Sequence, residues 1–499
     1  MASEISNRPC LWNLAKWLLI IIATVSGFSC KAHGESINTR ESTRKSNPAP
    51  SGPTPKKRRN PDVIAYFTRS NARQLLRVPI DPSSANLFST PIAWYNGCLY
   101  TVDIEPPDSP RNGINLKTVV RKGSLGSDAL WHWESNVVEN RTIEDRYHTQ
   151  ASLAVDKNGF VHIAYNMHNM PWQYKISRKP EDISSFIFKG EKLTHRMLSW
   201  VKYNNRTPFP GIGGGAIPGN QITYPAFFLD RDNELYITYR FAIHPGRKWK
   251  KRGFAGGVAK YDADKGEWNA IGGKVKIARS DAALPGGVDA QAFFVRPFAY
   301  DANYTVYLIR LDFDADNTLH AVWTWRKGGA GRDCSHPSYA NHTGPISRKF
   351  GRSDGSPYDL PIGLDEAEII ANYPSEQKFF ASTSISCDPY GQPYVILDPI
   401  GSSRVLVHYN RLQGTWSEPE PTPHGATEIY IDDAGKQWAF ASGLKVFMRN
   451  DDESAWKPVY AETGYVYPKI IYVRELKGFI IHTCSSDFRF SKITWIQSK

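Results

Sequence analysis

One pattern recurs along the chain: a polar turn followed by a short run in which apolar and polar residues alternate. It occurs seven times, as YNGCLYTVDI, DKNGFVHIAY, DRDNELYITY, DADNTLHAVW, DPYGQPYVIL, DDAGKQWAF and ELKGFIIHT. In six of the seven, an acidic residue stands three positions before a Gly or Asn, and these two residue types tolerate the positive φ of a tight hairpin. Because alternation is typical of half-buried strands, each segment predicts a β-hairpin.

The spacing of these hairpins predicts the fold. The turns lie at Gly97, Gly159, Asn233, Asn317, Gly391, Gly435 and Gly478, so successive units are 43 to 84 residues long. Repeats of this length without a helical period are typical of propeller blades. We predict an all-β, seven-bladed β-propeller, with a pair of packed sheets as the alternative. The longest units precede Gly391, and since loops carry function more often than scaffold strands, we expect the functional site there.

The first 60 residues differ in composition from the rest. Arg8 and Lys16 precede an apolar run from Trp17 to Gly27, which is too short for a stable membrane anchor and typical of an export signal. We predict a signal peptide over residues 1–34, with a lipoprotein signal ending before Cys30 as the alternative. Residues 35–60, rich in Ser, Pro, Lys and Arg, predict a disordered basic linker, and residues 61–499 form the propeller domain. We therefore expect an exported protein, secreted, periplasmic or at the cell surface.

The positive charge of the chain is concentrated in this leader. Residues 1–60 carry ten Lys and Arg against three Asp and Glu, so seven of the twelve excess positive charges lie there. The folded part is only mildly basic. We interpret the run KKRRN as a solvated linker, and we expect no nucleic-acid partner and membrane contact only through a lipid on Cys30. We expect a monomer.

Two histidines frame the second hairpin. His148 precedes its first strand and His168 follows its second, with the turn at Gly159 between them. An antiparallel hairpin brings both imidazoles to the same rim of the sheet. A lone histidine is more often structural than catalytic, but two histidines that converge on one rim favour a functional site.

The next two units repeat this arrangement with other residue types. Tyr224 and Arg240 flank the third turn, and Tyr307 and Arg326 flank the fourth at similar offsets. Either pair alone would fit a buried tyrosine beside an exposed arginine. Three successive pairs at one rim instead predict a binding or catalytic site, in which Tyr307 and Arg326 contact substrate.

At this point the motifs resemble a known family. YH-x(7)-D-x-x-G-x-x-H-x-x-Y-x-M-H, then TYP-x(4)-D followed by YR, then WTWR and SDGSPYDLPIG are similar to the BNR-type seven-bladed β-propeller polysaccharide lyases, the ulvan lyases and their relatives. The resemblance covers roughly residues 85 to 400. It implies a carbon–oxygen lyase with four catalytic residues, which correspond here to His148, His168, Tyr224 and Arg240. A further family tyrosine corresponds to Tyr307 or, because residues 282–303 resemble an insertion, to Tyr300.

The implied chemistry is β-elimination at a uronic acid, which explains why these residue types occur together. Arg240 would neutralise the uronate carboxylate and the charge that develops when the C5 proton leaves. His148 or the phenolate of Tyr224 would take that proton, and the phenol of Tyr224 would protonate the departing oxygen. A single tyrosine performing both transfers is the alternative. His168 would share the carboxylate or orient the base.

A metal site is a separate question, since the elimination itself needs no cofactor. Cys334 and His336, in GRDCSHPSY, together with Cys387 offer the ligands that structural zinc prefers, and the resemblance implies a structural zinc. The alternative, in an oxidising compartment, is a disulfide between Cys334 and Cys387.

Two other functions are alternatives to a polysaccharide lyase. A sialidase-like propeller hydrolase needs an arginine triad, a Tyr–Glu nucleophile and Ser-x-Asp-x-Gly-x-Thr-Trp boxes, which SDGSPYD does not match. A non-catalytic carbohydrate-binding propeller is the third candidate.

The expected substrate is an acidic, sulfated polysaccharide resembling ulvan. A basic loop would contact the sulfate groups, unless it is simply solvated: Arg247, Lys248, Lys250, Lys251 and Arg252.

Overall fold

The computed structural model describes residues 71–82, 88–107, 116–128, 130–142, 150–170, 172–190, 220–243, 253–277, 293–327, 333–342, 349–371, 373, 377–381, 383–450 and 455–498. The predicted signal peptide and linker lie outside these residues, as do His148 and the basic residues 247–252. Within the described part of the chain, no helix is both long and apolar enough to cross a bilayer.

The described residues form short β-strands with one-turn 3₁₀ helices at Pro423–Gly425 and Arg474–Leu476. In the N-terminal half the strands are β1 (Ala72–Pro79), β2 (Ile92–Tyr95), β3 (Cys98–Glu105), β4 (Leu116–Leu125), β5 (Trp131–Thr142), β6 (Ser152–Val155), β7 (Val161–Ala164), β8 (His168–Met170), β9 (Tyr174–Ser177), β10 (Phe186–Phe188), β11 (Asn220–Leu229), β12 (Leu235–Ala242), β13 (Phe254–Asp262), β14 (Glu267–Ile271) and β15 (Val275–Ile277).

In the C-terminal half they are β16 (Phe293–Val295), β17 (Tyr304–Phe313), β18 (Leu319–Lys327), β19 (Cys334–His342), β20 (Phe350–Gly351), β21 (Glu368–Ile369), β22 (Ser384–Cys387), β23 (Pro393–Leu397), β24 (Val405–Asn410), β25 (Thr415–Trp416), β26 (Glu420–Pro421), β27 (Glu428–Ile431), β28 (Gln437–Ala441), β29 (Lys445–Arg449), β30 (Lys457–Tyr460), β31 (Tyr465–Val473), β32 (Gly478–Ser485) and β33 (Phe490–Gln497).

Seven small antiparallel sheets form the blades of a ring. Blades 1 to 4 are β2–β5, β6–β7–β9–β10, β11–β14 and β17–β20, and blades 5 to 7 are β22–β25, β27–β30 and β31–β33 with β1. β21 pairs with β19 of blade 4, and β26 pairs with β24 of blade 5. β15 and β16 form a separate two-stranded sheet. The first strand pairs with the last, Ala72 opposite Ile496, so blade 7 contains both ends of the described chain and closes the ring. The predicted seven-bladed propeller is confirmed, and the sandwich alternative is wrong.

The hydrophobic core lies between the blades. Seven clusters of buried apolar residues each join two consecutive blades, including one that joins blade 7 to blade 1 through Trp495 and Leu99. Each sheet therefore buries both faces against its neighbours, and strands such as β6, β7, β22 and β23 are buried along their whole length. The innermost strand of every blade lines a central channel.

The first hairpin of each blade follows the turn chemistry that the sequence predicts. In five turns one carboxylate oxygen accepts hydrogen bonds from the backbone N–H groups two and four residues later, and these are the turns of Asp156, Asp230, Asp314, Asp388 and Asp432. Asn233 and Asn317 adopt the expected positive φ of 61°. In the seventh turn Lys477, not Gly478, takes the left-handed conformation, at φ 46°. We call this end of the ring the hairpin rim, and the opposite end the site rim.

Two of these aspartates also take part in buried Asp–His–Tyr chains. In blade 2 the Nε2 atom of His162 lies 3.1 Å from Asp156 and its Nδ1 atom lies 2.6 Å from the Tyr174 hydroxyl. In blade 4 Asp314, His320 and Tyr339 repeat the arrangement. Both imidazoles are fully buried, so these chains tie the first three strands of a blade together and do not form an active site.

Candidate active site

Strand β8 carries His168 from blade 2 to blade 3. β7 ends at Ala164, and Asn166, buried with a φ of 56°, redirects the chain. β8 then pairs with the free edge of β11, with His168 opposite Thr223. The His168 imidazole lies nearly parallel to the Tyr224 ring, with centroids 6.3 Å apart. The histidine is therefore brought to the tyrosine by strand pairing across two blades.

A β-bulge sets the position of Tyr224. Thr223 pairs with Arg240 and Ala226 pairs with Thr238, so two residues of β11 face one residue of β12. Tyr224 adopts a φ of 59°, a conformation that costs a non-glycine residue about 1–3 kcal/mol and that often occurs at functional sites. The next residue, Pro225, lacks an N–H and fits a bulge, and its carbonyl accepts a hydrogen bond from Ser152 in blade 2 at 2.6 Å.

Blade 4 contains an equivalent bulge. Tyr307 pairs with Thr324 before it and Arg310 pairs with Val322 after it, while Leu308 takes a φ of 46°. The Ile309 carbonyl within the bulge accepts a hydrogen bond from the Thr238 hydroxyl of blade 3 at 2.9 Å. In both blades a hydroxyl of the preceding blade therefore holds the bulge. The Tyr224 and Tyr307 rings lie 6.0 Å apart between centroids.

Arg240 lies in an aromatic cage. Its Cζ atom is 4.8 Å from the ring centroid of Tyr224 and 4.7 Å from those of Phe254 and Tyr307. The residue is only 6% exposed. Among the residues the structure describes, its Nε has no hydrogen-bond partner and its guanidinium has no carboxylate partner. A buried cation without an anion is costly, and such groups are normally paired. The cage is thus suited to bind a carboxylate from a ligand.

A second guanidinium flanks the same tyrosine. Arg326 donates a hydrogen bond to the Tyr307 hydroxyl, and its Cζ lies 5.0 Å from the ring centroid. Its Nε is buried and has no hydrogen-bond partner in the described part of the chain. Tyr307 therefore lies between two cations, which favours a negatively charged ligand beside it.

Sequence reasoning missed two residues that support the site, Phe88 and Gln150. Phe88 packs on Tyr224 with ring centroids 4.4 Å apart. The backbone N–H groups of Phe88 and Ser89 donate to the Gln150 side chain at 2.9 and 3.2 Å, and Arg310 donates to the Phe88 carbonyl at 3.2 Å. No turn or repeat marks this segment, and only its place just before β2, at the site rim, could have suggested it.

The predicted site residues divide into three groups. His168, Tyr224, Arg240, Tyr307 and Arg326 come together at the site rim of blades 3 and 4, as described above. His148 lies outside the described residues. Tyr300, the alternative to Tyr307, instead packs against the apolar cluster between blades 2 and 3.

The predicted zinc ligands do not form a group. Cys334 pairs with Arg326 and Phe379 at the site rim, whereas Cys387 lies beside the turn of Asp388 at the hairpin rim. Within the described ranges, no three His, Cys, Asp or Glu side chains are arranged to hold a metal. Cys334 and Cys387 are both free thiols. The structure therefore does not bring Cys334 and Cys387 together, because β23 separates the two cysteines along its length, and the zinc set stays a prediction.

Cys334 is instead a neighbour of the two site arginines. Burial raises the pKa of its thiol to about 11, although a hydrogen bond with Thr324 and the charges of Arg326 and Arg240 act in the opposite direction. His336 contacts Ser335 and Tyr304, and burial lowers the pKa of its imidazole. Both residues therefore pack behind the site in their neutral forms.

Taken together, the fold and the site define a β-propeller with a cationic, aromatic-lined site at one rim. A family model described as "BNR repeat-containing family member" matches residues 92–424, more than half of the chain. The chain therefore belongs to the BNR repeat-containing family. A comparison with curated protein sequences finds no match.

Solved structures agree with this fold. The polysaccharide lyase Uly1 superposes with a TM-score of 0.57 at 12% identity, covering 83% of this chain and 90% of that one. A PL25 ulvan lyase bound to -[GlcA(1-4)Rha3S]- superposes with a TM-score of 0.54 at 11% identity, covering 84% of this chain and 94% of that one. At such identities the likeness establishes the propeller fold.

Proposed function

We propose that this chain is a polysaccharide lyase that cleaves a uronic-acid-containing polysaccharide by β-elimination. The observation that carries the proposal is the Arg240 cage. A buried guanidinium that has no carboxylate partner among the described residues, and that is held by three rings, is suited to bind the carboxylate of a uronate. Substrate binding would then supply an anion for Arg240.

In the proposed reaction Arg240 neutralises the carboxylate at C5, so that the C5 proton becomes more acidic. As the proton leaves, negative charge spreads from C5 into the carboxyl group, and a fixed guanidinium stabilises it without reorganisation. The electron pair left at C5 forms the C4–C5 double bond while the C4–O bond breaks. No water is consumed.

Tyr224 is the proposed proton donor to the departing oxygen. Its hydroxyl proton can pass to the leaving group, and Arg240 over its ring stabilises the phenolate that results. The C5 proton is removed either by His148 or by Tyr224 itself, starting as the phenolate, which then returns this proton to the departing oxygen. His168, parallel to the tyrosine ring, orients Tyr224 or shares the carboxylate. Tyr307, with Arg326 on its oxygen, would bind the neighbouring sugar.

For the substrate we propose an acidic, sulfated polymer resembling ulvan. Two observations support this choice: one solved propeller with a similar fold is an ulvan lyase bound to -[GlcA(1-4)Rha3S]-, and the run of basic residues 247–252 offers contacts for sulfate. We also propose that the protein is exported, from the apolar run and basic flank within residues 1–34.

The experiment compares three outcomes on the same samples. Purified protein is incubated with ulvan, desulfated ulvan and other uronate polymers, and the ultraviolet absorbance of the unsaturated uronate is followed together with reducing ends and binding. Elimination gives both new reducing ends and the chromophore. New reducing ends without the chromophore would mean a sialidase-like hydrolase, and binding without either product would mean a carbohydrate-binding propeller. Either result would overturn the proposal.

A further inference from the structure

Blade 7 repeats the bulge that positions Tyr224. In β31, Tyr467 and Pro468 together face one residue of β32, just as Tyr224 and Pro225 face one residue of β12. Tyr467 adopts a φ of 55°, close to the 59° of Tyr224. The first hairpins of blades 1, 2, 5 and 6 pair without a register shift along their described strands. Among the described strands, the first-hairpin bulge therefore belongs to blades 3, 4 and 7.

A second aromatic residue with a positive φ lies against Tyr467. Phe488, in the loop between β32 and β33, has a φ of 57°. Its ring is nearly parallel to that of Tyr467, with an interplanar angle of 17° and centroids 6.0 Å apart. Both residues are half-buried, so part of the pair is accessible to a ligand. Because the left-handed conformation is costly for such residues and clusters at ligand-binding sites, the pair indicates a functional surface.

Hydrogen bonds hold the loop that carries Phe488. The Ser485 hydroxyl accepts the N–H groups of Arg489 and Phe490 at 3.1 and 3.0 Å and donates to the Asp487 carboxylate at 2.6 Å. The Phe488 N–H donates to the Ser485 carbonyl at 2.8 Å. The aromatic pair is thus positioned before any ligand binds, which reduces the entropy that binding would cost.

The pair lies at the site rim, on the far side of the ring from the candidate active site. Its two residues lie at the end of blade 7 opposite the turn of Lys477, which is at the hairpin rim. Blade 7 is three blades from blade 3 in one direction and three from blade 4 in the other. The pair also lies outside residues 92–424, which the family model matches.

The chemistry of this surface suits an acidic sugar polymer. A flat aromatic ring offers an apolar face to the C–H groups of a sugar ring. Arg489 follows Phe488, and its side chain is 78% exposed. Its ion pair with Asp487 is 3.6 Å long and exposed, and such pairs are weak, so the guanidinium can contact an acidic group of a ligand.

We propose that Tyr467 and Phe488 form a distal subsite that stacks on a sugar of the same polysaccharide whose uronate binds Arg240. This inference rests on the proposed function and specifies its substrate as a long polymer that lies across the site rim. A tetrasaccharide cleaved at its middle bond has only two sugars on either side of that bond. It would occupy the site beside Arg240 without engaging blade 7.

The tests change Tyr467 because Phe488 also packs against a small apolar cluster. Tyr467→Gly removes the ring, and glycine adopts a positive φ without strain, so the fold should be retained. Loss of one aromatic anchor should raise KM for ulvan about tenfold at unchanged kcat. Both constants for an ulvan tetrasaccharide should stay at their wild-type values. Tyr390→Ala, which removes a 75% exposed ring at the hairpin rim, is the matched control and should change neither.

If Tyr467→Gly fails to fold, Tyr467→Asn replaces it, since asparagine also tolerates the left-handed conformation. An unchanged KM for ulvan, or an equal rise for ulvan and the tetrasaccharide, would overturn the subsite and leave the lyase in place.

A wild-type protein that cleaves no uronate polymer would overturn the proposed function by itself. The subsite is then decided by retardation of the protein in gels that contain ulvan. Weaker retardation of Tyr467→Gly than of Tyr390→Ala would support the subsite. Equal retardation of both variants and wild type, or no retardation of wild type, would overturn it.

Discussion

Replacing Arg240 with methionine separates the role of the guanidinium in activity from its role in stability. Methionine preserves much of the length and apolar volume of the side chain, so the contacts with Tyr224, Phe254 and Tyr307 are partly retained. The charge and the donors are lost. If the cage exists to bind a uronate carboxylate, the variant should lose activity without losing its fold.

The magnitudes follow from the contacts. Removing a donor aimed at developing charge costs about 2.7–4 kcal/mol in the transition state, or a factor of about 10²–10³ in rate. For stability, three cation–π contacts at 4.7–4.8 Å contribute up to about 2 kcal/mol each, and the desolvation of one buried cation costs several kcal/mol. These terms have similar size and opposite sign, so we expect the free energy of unfolding to stay within about 1 kcal/mol of wild type.

Arg449→Met is the matched control. Arg449 is 7% exposed, close to the 6% of Arg240, and also lies over a ring, that of Trp456. It differs in having partners, Glu420 and Gln437. Its removal leaves these groups unsatisfied, so we expect a loss of about 1–3 kcal/mol in stability with an unchanged rate of elimination.

Urea unfolding followed by tryptophan fluorescence measures stability, and the initial rate of chromophore formation measures activity. We expect Arg240→Met to be stable and inactive, and Arg449→Met to be less stable and active. A loss of more than about 3 kcal/mol in Arg240→Met would refute it, because the guanidinium would then be a structural element of the blade. Near-normal activity of Arg240→Met would refute it equally.

Three further predictions concern the site and the blade that supports it. Tyr224→Phe should reduce elimination at least about 100-fold with little change in stability, since only the hydroxyl is removed; near-normal turnover would exclude Tyr224 as acid or base. Thr238→Val should cost about 1 kcal/mol in urea unfolding and lower kcat more than it raises KM, because the bulge beside Tyr307 loses its hydrogen bond; unchanged kcat would show that the bulge is rigid without it. Burial alone would raise the pKa of Asp314, but the hydrogen bond and charge interaction with His320 and the hydrogen bonds with Thr318 together outweigh burial and lower it, so its carboxylate stabilises the fold above its unfolded-state pKa of about 3.9. Asp314→Asn should therefore be about 1–3 kcal/mol less stable than wild type at pH 7, and the difference should shrink as the pH falls through the lowered folded pKa; a constant difference would contradict the assignment.

The hairpins were predictable because their chemistry is local. The carboxylate of Asp156 or Asp432 bonds to backbone N–H groups of its own turn, so a few adjacent letters specify the structure. Ring closure was not predictable in the same way. The pairing of Ala72 with Ile496 joins strands from the two ends of the propeller, and nothing in the apolar pattern of β1 identifies its partner.

The site was predictable in part for the same reason. Hairpin register places Arg240 near Tyr224, as the sequence indicated, but the transfer of His168 to the edge of β11 depends on pairing between blades. The contribution of Phe88 is also tertiary. No local pattern links it to Gln150, 62 residues later.

The sequence could not place the predicted zinc ligands relative to one another, because residue type and closeness along the chain do not determine closeness in space. Cys334 and His336 are neighbours along β19, but Cys387 lies at the far end of a strand in the next blade. Membership of a propeller family does not fix where a given cysteine lies, since loops and blade ends vary while the strand scaffold persists.

The most direct test of the proposed elimination is the mass of the products formed from a defined uronate oligosaccharide. Wild-type protein should yield two fragments whose masses sum to that of the substrate, with the unsaturated uronate at the new non-reducing end. Arg240→Met should yield neither fragment. Fragments whose masses sum to the substrate plus one water would show hydrolysis and would contradict the account.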